Sequence, residues 1–255
     1  MLTPPLPYSP RTPLRETTHD MPVPSAGSTL IPFITQREGE DAAPDNLVIK
    51  PSGGNRNRLY YADEDLRDRD ARGVLYARCS WNELDGRGMP TGAPRWKMMH
   101  PHRQMMTMQL LLCQVCTKPA RTKQGLIFLG GPKDQDPTQP EILTNQPPVC
   151  ARHLRTVAAL CPHMEARPMV FLAQSAPMYG VTGVLYGRLA SGRLRVVARP
   201  DHAVPYGHQD LPTFLASQMV RRIKSFRVLD LNELLQDLDT VTVSVPRPRP
   251  IGQPR

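Results

Sequence analysis

Residues 110–164 read LLLCQVCTKPARTKQGLIFLGGPKDQDPTQPEILTNQPPVCARHLRTVAALCPHM and contain two ligand pairs, Cys113-x-x-Cys116 and Cys150-x-x-His153, with 33 residues between them. Two ionisable ligands spaced by two residues can reach one metal ion from a single tight turn. A second such pair completes a tetrahedron with no open position. The spacing therefore predicts a closed, structural Zn2+ site on Cys113, Cys116, Cys150 and His153. In more detail, residues 113–119 read as a knuckle, 125–129 as a strand and 141–144 as a second short strand. Residues 150–160 read as a helix approached through Gln146-Pro147-Pro148. Knuckle, hairpin and helix in that order predict a treble-clef-like zinc finger whose second pair sits in the first helical turn, where exposed N–H groups favour a thiolate. Cys161 and His163 are rival ligands. Cys161, however, lies about 16 Å from Cys150 along a continuous helix, and Pro162 marks where that helix stops.

Composition sets the bounds around this centre. The 255 residues include 29 prolines, crowded at both ends, so on the order of 190 residues remain for packed structure. Aromatic residues are only 5%, which leaves the core to Leu, Val, Ile and Met. The formal charge of +9 favours polyanionic partners, and an arginine-rich composition is also usual in GC-rich bacterial genomes. Proline interrupts the start of the chain where a signal peptide needs a continuous apolar stretch, and no window reaches about 18 apolar residues. A cytoplasmic location is expected, where the five cysteines stay reduced and read as metal ligands before disulfides, Cys79 being the odd one out.

Five segments follow in order. Residues 1–28 are expected to be a disordered Pro-rich tail, with seven prolines in the first 24 positions. Residues 29–98 form a β-rich portion, with β-like runs at 30–35, 47–50, 59–61 and 74–79 and a turn at Gly53-Gly54-Asn55. Its acidic run, Asp63, Glu64, Asp65, Asp68 and Asp70, lacks the glycine and terminal glutamate of a calcium loop. It reads as a solvated turn with Arg67 and Arg69 as counter-charges. Residues 99–166 are the zinc module, led in by a helix with Pro101 at its first position and Met105, Met106, Met108, Leu110 and Leu112 as its apolar face. His100 and His102 read as surface or capping histidines.

Residues 167–240 are expected to be a small α+β portion. Strands at 169–172, 179–186 and 194–197 lead to an amphipathic helix over 211–224, with Asp210 as its N-cap and Phe214, Leu215, Met219, Val220 and Ile223 inward. A strand at 226–231 and a helical turn at 232–238 follow, and 241–255 is a second disordered, basic Pro-rich tail. The fold class is thus α+β: a treble-clef-like finger flanked by small antiparallel β-rich portions and one C-terminal amphipathic helix. Arg221, Arg222, Lys224 and Arg227 form a basic cluster at that helix end and are the candidate phosphate contacts.

The run HPHRQMMTMQLLLCQVCTKPA…LTNQPPVCARHLRTVAALCPHM, with Tyr61-Ala-Asp-Glu and Asp68-Arg-Asp-Ala-Arg-Gly-Val-Leu before it, resembles a group of uncharacterised proteins from Streptomyces and related actinobacteria and their mobile elements. The resemblance spans roughly residues 30–230. It implies a CQVC…PPVCxxC…CPH pattern in which His153 replaces a second cysteine, a change that keeps a competent zinc ligand.

Three functions compete. A non-enzymatic DNA- or RNA-binding regulator is favoured by the zinc finger and the charge; a protein-interaction adaptor for a host or phage protein is favoured by the same finger and the proline-rich ends. An HNH-like nuclease is favoured only by fold analogy, and no histidine lies between Cys116 and Cys150 to serve as its base. No Walker loop, dinucleotide fingerprint or G-x-S-x-G nucleophile motif is present, so enzyme activity is not expected and no membrane or small-molecule partner is indicated.

Overall fold

The computed structural model describes residues 30–43, 46–53, 56–131, 138–160, 169–231, 234 and 236. In chain order the strands and helices are β1 (Thr35–Arg37), β2 (Leu47–Ser52), β3 (Arg56–Tyr61), β4 (Leu75–Tyr76), β5 (Pro94–Met99), α1 (Pro101–Leu110), β6 (Leu126–Gly130) and β7 (Glu141–Thr144). They continue with α2 (Leu154–Leu160), β8 (Met169–Ser175), β9 (Met178–Arg188), β10 (Leu194–Ala198), β11 (Val204–Pro205) and β12 (Phe214–Leu229). Both terminal tails, residue pair 54–55, the rivals Cys161 and His163, and most of the helical turn expected at 232–238 lie outside the described residues.

The architecture is a sheet protein, which corrects the α+β expectation. Among the described residues eight strands join in one sheet of order β10-β9-β12-β8-β6, with β11 beside β9 and with β4 and β7 beside β12, and only the short β12–β4 pairing is parallel. The other two sheets are the pairs β1–β5 and β2–β3. Strands from the stretches 29–98, 99–166 and 167–240 therefore share one sheet.

β12 is its spine, and it replaces the amphipathic helix expected over 211–224. It pairs with β9 from Phe214 to Arg221, with β7 from Arg221 to Lys224 and with β8 from Lys224 to Leu229. The helical reading failed for a definite reason. Phe214, Ala216, Met219, Arg221 and Ile223 are all buried, and an irregularity between Ala216 and Gln218 shifts the register by one residue. A bulge of that kind turns a period of two into a mixed spacing of two and three, which imitates a helical stripe. Its β-branched and aromatic residues suit a strand. Gly180 and Gly183 on β9 permit the tight approach of the neighbouring strands, because a Cβ at either would overlap a carbonyl oxygen, that of Val204 or of Leu215.

The treble clef is the second correction. β6 pairs with β8, and β7 with β12, so the two strands between the ligand pairs never form a hairpin with each other. Both are instead recruited by the larger sheet, where Leu126, Phe128, Ile142, Phe171, Ala173 and Ile223 make one apolar cluster.

Helix α1 begins as the sequence predicts, with Pro101 at its start and the His100 imidazole accepting the Arg103 N–H as cap. Its buried face differs from the expected methionine stripe: Arg103, Gln104, Thr107 and Met108 are buried, while Leu110 is exposed. The polar members are paired, apart from the Arg103 Nε, which has no partner among the described residues. Arg103 makes a two-pronged ion pair with Glu40 (2.5 and 2.6 Å) and donates to the Thr35 carbonyl (2.9 Å). Burial works against the Glu40 carboxylate, yet Arg103 and the Arg37 N–H hold its pKa below the usual range.

Candidate metal centre

Helix α1 delivers the first ligand pair. It stops at Leu111, whose left-handed φ of 54° turns the chain out of the helix. The carbonyls of Met108 and Gln109 at that end are then capped by the Arg221 guanidinium (2.8 and 3.2 Å), which also donates to the Ala176 carbonyl. The knuckle follows at once. Cys113 N–H donates to the Lys118 carbonyl (2.8 Å) and Thr117 N–H to the Cys113 carbonyl (3.0 Å), with Thr117 at φ 59°.

The second pair is held to the first by hydrogen bonds that need no metal. Pro147 and Pro148 have no N–H, so this segment can contribute only carbonyls there. Gln114 answers both: its backbone N–H donates to the Pro148 carbonyl (3.0 Å) and its side-chain amide to the Pro147 carbonyl (3.0 Å). Val149 N–H donates to the Ile127 carbonyl (2.9 Å), tying the approach to β6. Cys150 is the N-cap of a short 3-10 turn, Ala151–His153, that runs straight into α2.

The four side chains converge as a result. Cys113 Sγ lies 3.8 Å from His153 Nδ1, Cys150 Sγ 3.2 Å from the same nitrogen, and Cys116 Sγ 4.0 Å from Cys150 Sγ. All four ligand atoms lie within 4.8 Å of one another. With bonds of about 2.3 Å to sulfur and about 2.0 Å to nitrogen, a tetrahedral zinc ion spaces its ligand atoms roughly 3.5–3.8 Å apart. The observed spacings bracket that value. Cys113 is buried and the other three are half-buried.

Electrostatics at the cluster follow from its crowding. The Cys116 and Cys150 sulfurs hold the Cys113 thiol well below the usual range, while Cys113 and Cys116 push Cys150 above it. Cys113 and Cys116 also push the His153 imidazole up to about 9. Three sulfurs and a ring nitrogen around one point thus favour a positive charge at their centre. The group can hold a metal ion, and its soft sulfur-rich donor set suits zinc chemically.

Cys79, by contrast, is isolated from this centre. Burial pushes its thiol up to about 11, and its sulfur accepts a weak hydrogen bond from Gln36 (3.7 Å).

The basic cluster takes another form on a strand. Arg221 is buried and committed to three carbonyls, and burial lowers its pKa to about 10. Arg222 lies 3.5 Å from Glu141 and stacks on Tyr179 (4.5 Å to the ring centre), and Lys224 lies 3.9 Å from the same carboxylate. Arg227 is exposed. Sequence reasoning missed Gln114 and Arg221 as supports of the centre; the donorless Pro147-Pro148 pair is the signal that could have pointed to the first.

Comparison of the chain with protein-family models, with curated proteins and with solved structures finds no match at the level of significance applied.

Proposed function

We propose that the protein is a non-catalytic zinc-binding factor in which Cys113, Cys116, Cys150 and His153 hold one structural zinc ion, and that it binds nucleic acid. The observation that carries the first part is the closed donor set: four protein ligands fill a tetrahedron and leave no position at which a metal could activate water or polarise a substrate. The ion's chemistry here is cohesion. It would lock the end of α1 to the start of α2, with three thiolates against two positive charges leaving the site singly negative.

The nucleic-acid part is supported by the net charge of +9, which favours phosphate-bearing polyanions. A protein-interaction adaptor held together by the same zinc is the second reading. A pull-down from cell lysate with and without nuclease treatment, followed by sequencing and mass spectrometry, separates the two. Recovery of nucleic acid that nuclease abolishes supports the proposal, whereas a nuclease-resistant protein partner without bound nucleic acid overturns it.

A further inference from the structure

The β2–β3 hairpin has one apolar and one cationic face. Leu47, Ile49, Leu59 and Tyr61 are buried, and strand alternation puts Lys50, Arg56, Arg58 and Tyr60 on the opposite side. The register sets Lys50 directly across from Arg58. Like charges in that relation disfavour the hairpin itself, so the pairing does nothing for the fold. Three cations surround the Tyr60 ring, with Arg69 at 5.1 Å, Arg58 at 5.8 Å and Lys50 at 6.0 Å from its centre.

Beside this face lies an open cavity of about 540 Å³, lined by Arg56, Arg58 and Arg72 together with Tyr206 and His208, and no carboxylate is among the described residues that line it. Of the neighbouring acids, Glu64 neutralises Arg69 in a two-pronged ion pair (2.7 and 2.8 Å), and two others stand outside the cavity lining. Asp70 is buried, accepting the Tyr206 hydroxyl (2.6 Å) and the N–H groups of Arg72 and Val74 (2.9 Å each). Asp210 lies 3.6 Å from His208 Nδ1. Arg58 donates one N–H to the Gly73 carbonyl (2.8 Å), and Arg72 lies over the Tyr206 ring at 4.8 Å. Among the described residues neither the Arg56 nor the Arg72 guanidinium has a carboxylate partner, and both residues are exposed.

We propose that this cleft and the adjoining hairpin face bind the phosphate backbone of a single-stranded nucleic acid. The inference rests on the nucleic-acid reading above and gives it a location. Guanidinium groups held without a counter-charge are matched by phosphate oxygens. Lys50 extends the positive charge out of the cavity past Tyr60, so more than one phosphate fits the surface better than one free anion. Tyrosine rings set among those cations offer the stacking platforms that strand-binding grooves use.

The test is a fluorescence-anisotropy titration of the full chain with labelled oligothymidylate at several salt concentrations. R56Q/R72Q changes two exposed side chains and is compared with R193Q/R195Q, which removes the same charge from the exposed β9–β10 turn and β10. Each phosphate of a single strand that the protein ceases to neutralise lowers the slope of log affinity against log salt by about 0.7, so the slope should fall by about 1.4 in R56Q/R72Q and little in R193Q/R195Q. Equal decreases in both variants overturn the proposal in favour of diffuse charge. Undiminished binding by R56Q/R72Q overturns the cleft alone and leaves the nucleic-acid reading standing; no binding by the wild type overturns both. Displacement of the oligonucleotide by inorganic phosphate at matched ionic strength and equal phosphate concentration identifies the ligand as a free anion and overturns the strand. Metal content measured on each variant shows whether any weakening comes instead from damage to the zinc centre.

Discussion

At the scale of single residues, two histidines with different surroundings make different predictions. His153 offers Nδ1 to the sulfur cluster, and thiolate and imidazole are both competent fourth ligands. His153→Cys should keep stoichiometric zinc and His153→Ala should bind it more weakly by at least tenfold in a competition with a chromophoric chelator. Equal affinity in the alanine variant would remove His153 from the site. His100 is fully buried, with Nδ1 accepting the Arg103 N–H and Nε2 near the Ser80 carbonyl (3.2 Å). Burial and then the Arg103 charge push its pKa down to about 4. The unfolded chain therefore takes up a proton near pH 6.5 that the folded chain refuses until about pH 4, so stability is intact above that window and falls as pH drops through it. The loss amounts to about 3 kcal/mol. Urea unfolding of wild type against His100→Asn between pH 7 and pH 4 checks this, since acid weakening of metal binding affects both proteins alike. Parallel pH dependences would count against the buried neutral imidazole.

At the scale of elements, the contact between α1 and β12 is the one that positions the metal centre. Gln104 behaves as a missing strand partner: its amide donates to the Met219 and Asn145 carbonyls (2.8 and 2.7 Å), and its carbonyl accepts the Met219 N–H (2.9 Å). Gln104→Leu preserves size but strands buried backbone groups on β12, and it should destabilise the protein by about 2–4 kcal/mol in chemical denaturation. A change below about 0.5 kcal/mol would show that water takes over those bonds. The same contact explains what the sequence could and could not disclose. The knuckle, the start of α1 at Pro101 and the Cys150-led turn into α2 were legible because each is set by residues a few positions apart. Of β12, the end from Phe226 was legible as a strand, but the part up to Lys224 was illegible because its bulge disguises the alternation and its partners lie far along the chain. The polar face of α1 was illegible too: Arg103 and Gln104 are buried only because Glu40 and the β12 backbone meet them.

At the scale of the whole molecule, the centre joins parts that the sheet alone does not join. Gln114 accepts the Ile34 N–H through its carbonyl (3.3 Å) and grips Pro147 and Pro148, so the knuckle touches the β1 region on one side and the second ligand pair on the other. Under the proposed assignment, zinc bound there would couple to folding, with an apparent contribution on the order of 10 kcal/mol at neutral pH. Chelation should consequently lower the thermal midpoint by well over ten degrees if the sheet unfolds with the centre. An unchanged midpoint would mean that the eight-stranded sheet stands without it. The most direct measurement is elemental analysis of the protein purified without added metal, together with Cys79→Ser and Cys113→Ser. One zinc per chain is expected in the wild type and in Cys79→Ser, and well under one in Cys113→Ser. A metal-free wild type, or a Cys113→Ser protein with its zinc intact, would contradict the assignment of Cys113, Cys116, Cys150 and His153 as a zinc centre.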